Sequence, residues 1–194
     1  METVLPQCGV AENPTEDFDR VFLEIGFGAA DHLLHLARTF PDTLIIGAEP
    51  FLNGVAKACA AIDAEGISNL RLHGGDVRDI LDGLPDASLD RLYILFPDPW
   101  PKARHRKRRL IQEDTIVEFA RLLKPGGEWH FASDITDYVD WVLTRAARSS
   151  HFIWHPATAQ NFLAYPPDWP GTKYEKKAVT EGRIPHFFTF TRTT

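Results

Sequence analysis

Short apolar runs recur along this chain, and nearly every one ends at a carboxylate. Val21-Phe22-Leu23-Glu24-Ile25 runs into Gly26-Phe27-Gly28, Leu44-Ile45-Ile46-Gly47-Ala48 into Glu49, and Leu70-Arg71-Leu72-His73 into Gly74-Gly75-Asp76. Leu92-Tyr93-Ile94-Leu95-Phe96 leads to Pro97-Asp98, and Glu128-Trp129-His130-Phe131-Ala132 to Ser133-Asp134. Runs of this length, bounded by glycine and proline, read as buried strands. Between them Leu33, Leu36, Ala37 and Phe40, then Val55, Cys59 and Ile62, then Ile116, Phe119, Ala120 and Leu123 recur at helical spacing. Asp79 to Leu84 adds a short helical candidate, and Tyr138, Trp141, Val142 and Arg145 mark a further helix. Strand and helix in alternation predict a parallel sheet, because parallel neighbours need a crossover about as long as a helix.

Two more strands, His151 to Trp154 and His186 to Phe190, are separated by a polar loop without a convincing helix. The last strand is therefore expected to return antiparallel, as a hairpin. The predicted fold is a single α/β domain: a Rossmann-like, seven-stranded, mostly parallel sheet with its last strand antiparallel and helices on both faces. Residues 1–18, with Pro6, Gly9 and Pro14 and no periodicity, read as an arm, and 19–194 as the domain. No stretch is long and apolar enough to span a bilayer, and Met1-Glu2-Thr3-Val4 lacks a signal peptide's basic and apolar regions. A cytoplasmic location without membrane contact is expected. Cys8 and Cys59 lie far apart and the eight histidines show no metal-type spacing, so reduced thiols and no metal are expected.

Five carboxylates, Glu24, Glu49, Asp76, Asp98 and Asp134, fall at strand ends on one predicted edge, where open α/β sheets bind ligands. Gly26-Phe27-Gly28-Ala29-Ala30 is a partial glycine fingerprint that lets a ligand approach the backbone. Glu49, twenty-five residues after Glu24, suits an acid that grips a ribose. The crowd of acids would repel a diphosphate and disfavours a nicotinamide dehydrogenase. It suits a cofactor bearing hydroxyls, an amine and a sulfonium cation, as S-adenosylmethionine does. Any single strand-end acid can equally be a helix cap.

The net charge is −6, yet Lys102, Arg104, Arg106, Lys107, Arg108 and Arg109 carry +6, leaving −12 on the rest of the chain. A basic patch on an acidic body favours an anionic partner at one place. It follows Phe96-Pro97-Asp98-Pro99-Trp100-Pro101, so a proline-stiffened carboxylate loop runs directly into cations suited to phosphates. Part of the run is expected to begin the helix containing Ile116. The competing reading is a solvated charge run.

Phe96-Pro97-Asp98-Pro99-Trp100-Pro101-Lys102 with Arg104 to Arg109, together with Leu23-Glu24-Ile25-Gly26-Phe27-Gly28, resembles the bacterial tRNA (guanine-N7)-methyltransferase family. Ser133-Asp134 and Thr172-Lys173-Tyr174-Glu175 agree, and the resemblance runs from about residue 21 to the end. It implies a class I methyltransferase fold, S-adenosylmethionine as donor and the variable-loop guanine (tRNA position 46) as acceptor. It further implies that Glu24, Gly26, Gly28, Glu49, Asp76 and Asp98 bind cofactor, with Asp98 also catalytic. Lys102, Asp134, Thr172, Lys173, Tyr174 and Glu175 match substrate-binding positions. Arg104, His105, Arg106, Lys107, Arg108 and Arg109 match the RNA-contacting segment. Where the family often has Arg-Pro before Thr-Lys, this chain has Trp169-Pro170. Trp100, Tyr165 and Trp169 could stack on a base or pack structurally. tRNA is the expected partner of a monomer or homodimer, with no obligatory protein partner. The alternatives are a class I methyltransferase with another acceptor and a non-catalytic RNA-binding protein on this fold.

Overall fold

The chain is described by a computed structural model over residues 18–154, 163 and 169–194. Strand β1 (Arg20–Ile25) is buried from Val21 onward, as an inner strand covered on both faces must be. After it come α1 (Asp31–Thr39), β2 (Thr43–Ala48), α2 (Leu52–Glu65), β3 (Leu70–His73), α3 (Arg78–Leu81) and β4 (Leu89–Leu95). A 3-10 helix (Ala103–Arg108) precedes α4 (Glu113–Leu122), β5 (Leu123–Ser133), α5 (Thr136–Arg148), β6 (Phe152–Trp154), α6 (Lys173–Thr180) and β7 (His186–Arg192).

The strands form one sheet in the order β3-β2-β1-β4-β5-β7-β6. The first five are parallel, and β7 runs antiparallel to both β5 and β6. Strand order reverses between β1 and β4, so the crevice beyond their carboxyl ends is the switch point of the sheet. Register brings the strand ends level: Ile25 faces Ala48 and Ile94, Ala48 faces His73, and Leu95 faces Ala132. The acids that follow are thereby delivered to one edge.

Alternation along β1 divides the core. Val21, Leu23 and Ile25 pack with Ile116 and Phe119 of α4 and Tyr138 and Val142 of α5, whereas Phe22 packs with Leu33 and Ala37 of α1. Trp129, fully buried on β5, stacks on Phe190 at 4.7 Å and meets Phe152 edge-on, tying the antiparallel strands to the parallel sheet. Among the described residues no helix is long and apolar enough to cross a membrane.

Two expectations need correction. The connection into β7 contains α6, started by a capping box in which the Thr172 hydroxyl accepts from the Glu175 amide and the Glu175 carboxylate accepts from the Thr172 amide. The basic run does not begin α4. It forms its own 3-10 helix, Arg109 turns extended, and α4 starts afresh at a box made by Gln112 and Thr115. Of the expected arm, Phe18 packs on the core beneath β1, while residues 1–17, like Tyr165, lie outside the described residues.

Candidate active site

At the switch point a cleft of about 680 Å³ opens, walled by Gly26, Gly28, Glu49, Asp76, Asp98 and Tyr174 among others. Its floor is a clasped turn. The Glu49 carboxylate accepts the Gly28 amide at 2.7 Å through Oε2 and the Phe51 amide at 2.8 Å through Oε1. A Cβ built on Gly54 would lie 2.0 Å from the Gly28 carbonyl oxygen, and one on Gly28 would meet the Tyr174 ring at 3.1 Å. Gly28 itself has φ +54°, in the left-handed region that glycine adopts without strain. The turn is therefore packed below by α2 and above by α6.

Glu24 lies deeper. It is 2% exposed, its Oε2 pairs with His32 Nδ1 at 2.9 Å, and it borders a small recess beside the cleft with Thr172 and Tyr174. Asp76 sits at the open rim, where Oδ2 takes Arg78 Nη1 at 2.9 Å and Oδ1 takes the Arg78 amide at 3.0 Å.

The loop after β4 is the most constrained segment of the site. Phe96 and Trp100 both have positive φ, +53° and +42°, a conformation that costs bulky residues roughly 1–3 kcal/mol each. Pro97 and Pro99 lie between them and Pro101 follows. The Phe96 amide donates to the Ala132 carbonyl at 2.8 Å, and Trp100 lies beneath the Arg108 guanidinium at 5.0 Å. Between these anchors Asp98 is exposed, and its carboxylate accepts no hydrogen bond from the described residues.

The cations beyond the loop are not equivalent. Arg104, Lys107 and Arg108 are exposed, and His105 and Arg106 are half-buried. Arg106 Nη2 donates to Asp137 Oδ1 at 2.6 Å. Arg109 has no exposed surface: Nε donates to the Pro99 carbonyl at 2.8 Å, Nη2 pairs with the Asp137 carboxylate, and its guanidinium lies 4.8 and 4.9 Å from the Tyr138 and Trp141 rings. Of the six residues the resemblance matches to the RNA-contacting segment, Arg109 is the buried one, its guanidinium turned inward. Arg109 holds the Asp137 carboxyl below the usual carboxylate range. Burial pushes the Tyr138 phenol up to about 12.

Asp134, after β5, is bound by Arg183 Nε at 2.5 Å, and Arg183 also pairs with Glu181. In α6, Lys173 and the half-exposed Tyr174 face the cleft. Glu175 does not. It is buried, accepting from Trp169 Nε1 at 2.5 Å and from the Thr172 amide. Its carboxylate is held inside the helix cap. Trp169 packs on His32 and Phe187 at 5.1 and 5.2 Å, so its ring is a structural wedge.

A family model described as a putative methyltransferase matches residues 19–187. A tRNA (guanine-N(7)-)-methyltransferase from Roseobacter denitrificans is 48% identical over 172 residues, covering 89% of this chain and 73% of the relative. One from Agrobacterium fabrum is 44% identical over 192 residues, covering 99% and 82%. The chain belongs to the tRNA (guanine-N(7)-)-methyltransferase family. The fold is also that of the 16S rRNA methyltransferase KamB, with TM-score 0.66, 16% identity and coverage of 93% and 91%. A 16S rRNA (adenine(1408)-N(1))-methyltransferase variant from Catenulisporales acidiphilia, solved with its cosubstrate SAM, likewise gives TM-score 0.66 at 13% identity, covering 93% and 88%.

Of the positions the family resemblance singles out, Gly26, Gly28, Glu49, Asp76, Asp98, Arg108, Lys173 and Tyr174 meet around one cleft. Glu24 and Thr172 border the adjoining recess, while Lys102 and Asp134 stand outside the cleft wall. The sequence reading missed Phe51, Asn53, Gly54 and Lys57, which continue the wall along the start of α2. Phe51 and Leu52, an apolar pair just past a strand-end acid, are 70% and 72% exposed. That pair was the signal available for this part of the rim.

Proposed function

We propose that the protein transfers a methyl group from S-adenosylmethionine to N7 of a guanine in tRNA, the variable-loop guanine. The observation that carries this reading is the placement of Asp98. An unengaged carboxylate on a strained loop stands between a glycine-floored cleft and a row of exposed cations.

The residues present fit the cofactor. The donor set is acidic and hydroxyl-accepting at Glu49 and Asp76, and the Gly26–Gly28 turn leaves backbone accessible where side chains would intrude. Glu24, Gly26, Gly28, Glu49, Asp76 and Asp98 would hold it. When bound, S-adenosylmethionine supplies a methyl group activated by a sulfonium. Guanine N7 carries a free lone pair, so no side chain needs to remove a proton. Asp98 contributes alignment and a negative charge beside the centre where positive charge moves to the purine, placed in advance by its loop. Asp134 accepts from the guanine N1–H and exocyclic amine, a pattern adenine does not offer. Lys102, Lys173, Tyr174 and Thr172 line the approach of the base. Arg104, His105, Arg106, Lys107 and Arg108 meet phosphates and orient the tRNA without reading sequence.

Incubation with methyl-labelled S-adenosylmethionine and unmodified tRNA, followed by nucleoside analysis, tests the reading. The label is expected in 7-methylguanosine. Cofactor binding without transfer would favour a non-catalytic RNA-binding protein, and label in another nucleoside a different acceptor.

A further inference from the structure

We propose that Arg109 is a positioning residue that fixes Asp98 relative to Asp134. This rests on the reading that both acids serve the methyl-transfer site.

One planar guanidinium joins the two carriers of these acids. Its Nε donates to the carbonyl of Pro99, the residue after Asp98. Its Nη2 pairs with the Asp137 carboxylate and its Nη1 reaches the Asp137 carbonyl at 3.4 Å, in the first turn of α5. That helix starts two residues after Asp134. The Tyr138 and Trp141 rings cover the cation. Strand pairing aligns the ends of β4 and β5 up to Leu95 and Ala132, and the Phe96 amide extends it by one bond. Beyond that, Arg109 is the link from the Asp98 loop to α5 that the described hydrogen bonds provide.

The choice of arginine follows from the geometry. Its rigid fork satisfies a carbonyl and a carboxylate at once, whereas a lysine ammonium cannot span both. Loss of the guanidinium would leave Asp137 paired with Arg106, so the carboxylate would keep a partner. What disappears is the restraint on Pro99. The loop between the positive-φ residues Phe96 and Trp100 is then free to relax, carrying Asp98 with it.

The test compares wild type with Arg109→Gln, Arg109→Lys and Asp137→Asn by three measurements. Amide hydrogen exchange at Phe96 and His105, whose amides donate to the Ala132 and Lys102 carbonyls at the two ends of the loop, reads its restraint in the free protein. Single-turnover methylation at saturating tRNA and cofactor reads catalysis, and tRNA affinity against salt reads phosphate contacts. Arg109→Gln and Arg109→Lys should speed exchange at those amides about tenfold or more. Both should lower the single-turnover rate roughly 10- to 100-fold with the salt slope unchanged. Asp137→Asn alters an exposed side chain and keeps the bond to Pro99, so it should show the same pattern more weakly. It decides the matter if the Arg109 variants do not fold. Unchanged loop exchange, a wild-type rate, or a loss confined to tRNA affinity with a shallower salt slope would overturn the proposal. If wild type itself does not methylate tRNA, the functional reading falls, and exchange alone then decides whether Arg109 holds the loop.

Discussion

Glu49 accepts the Gly28 amide at 2.7 Å, so the acid that closes β2 also holds the glycine turn that follows β1. Its second oxygen accepts the Phe51 amide. A carboxylate can serve both amides and still accept a hydroxyl, but an amide side chain cannot, because its NH2 would face one of the donors. Glu49→Gln should therefore loosen the turn and weaken S-adenosylmethionine binding, because one amide loses its acceptor and the hydroxyl-accepting oxygen is lost with it. Calorimetric titration checks this, and unchanged affinity would show that the clasp is dispensable.

Gly54→Ala tests the same turn from below. The added carbon would meet the Gly28 carbonyl at 2.0 Å, a backbone collision that no rotamer relieves. The variant should lose about 1–3 kcal/mol of stability through overpacking and bind cofactor more weakly than wild type. Chemical denaturation and cofactor titration measure the two effects separately.

Asp98 and Asp134 should fail differently. Asp98→Ala should lower the single-turnover rate roughly 10²- to 10³-fold, as loss of a preorganised electrostatic group does, with tRNA affinity retained. Asp134→Ala should mainly reduce discrimination between guanine and adenine at the target position. Competition between the two transcripts resolves the second effect, which a pure rate measurement would miss.

For RNA docking, Arg104, Lys107 and Arg108 are the exposed members of the run. Replacing Arg104 and Lys107 with alanine, which keeps Arg108 over the Trp100 ring, should reduce the slope of log affinity against log salt by about 0.7–0.9 for each phosphate that is no longer neutralised. The turnover of bound tRNA should change far less. An unchanged slope would identify the run as a solvated face.

Stability should carry a signature of His130. A second cavity of about 390 Å³, on the α1 side of the sheet, is lined by His32, Arg91, Tyr93, Glu128, His130 and Thr189 among others. Burial pushes the His130 imidazole below its ordinary value, against the opposing pull of Glu128. A neutral ring protonated on Nε2 donates to Glu128 at 3.1 Å and accepts from Thr189 at 3.2 Å. The unfolded chain takes up a proton near the ordinary imidazole pKa of about 6.5 while the folded chain does not. Stability is therefore full above that pH and declines as pH falls toward the lower folded value. His130→Gln should flatten the decline in melting temperature on acidification from pH 7 to 5.

The alternation of apolar runs and helical stretches carried the architecture, because strand-end acids and glycine turns are local chemistry. What stayed illegible depends on which way side chains face. A charge run does not say which cation turns inward. The 3-10 geometry decides it, since residues three apart eclipse, and Arg106 and Arg109 both reach Asp137. Helix α6 was legible in principle: Thr172 and Glu175 have capping-box spacing. The same residues read as a substrate motif in a polar loop, which obscured the helix. Glu24 differs again, for its pairing with His32 depends on α1 folding back over the sheet.

The most direct measurement maps the methyl group within one tRNA. Two transcripts are compared, one with guanine at the variable-loop position and one with adenine there, each incubated with wild-type protein and methyl-labelled S-adenosylmethionine. Cleavage at 7-methylguanosine should occur at that single site in the first transcript and nowhere in the second. Equal labelling of both transcripts, or of neither, would contradict the account.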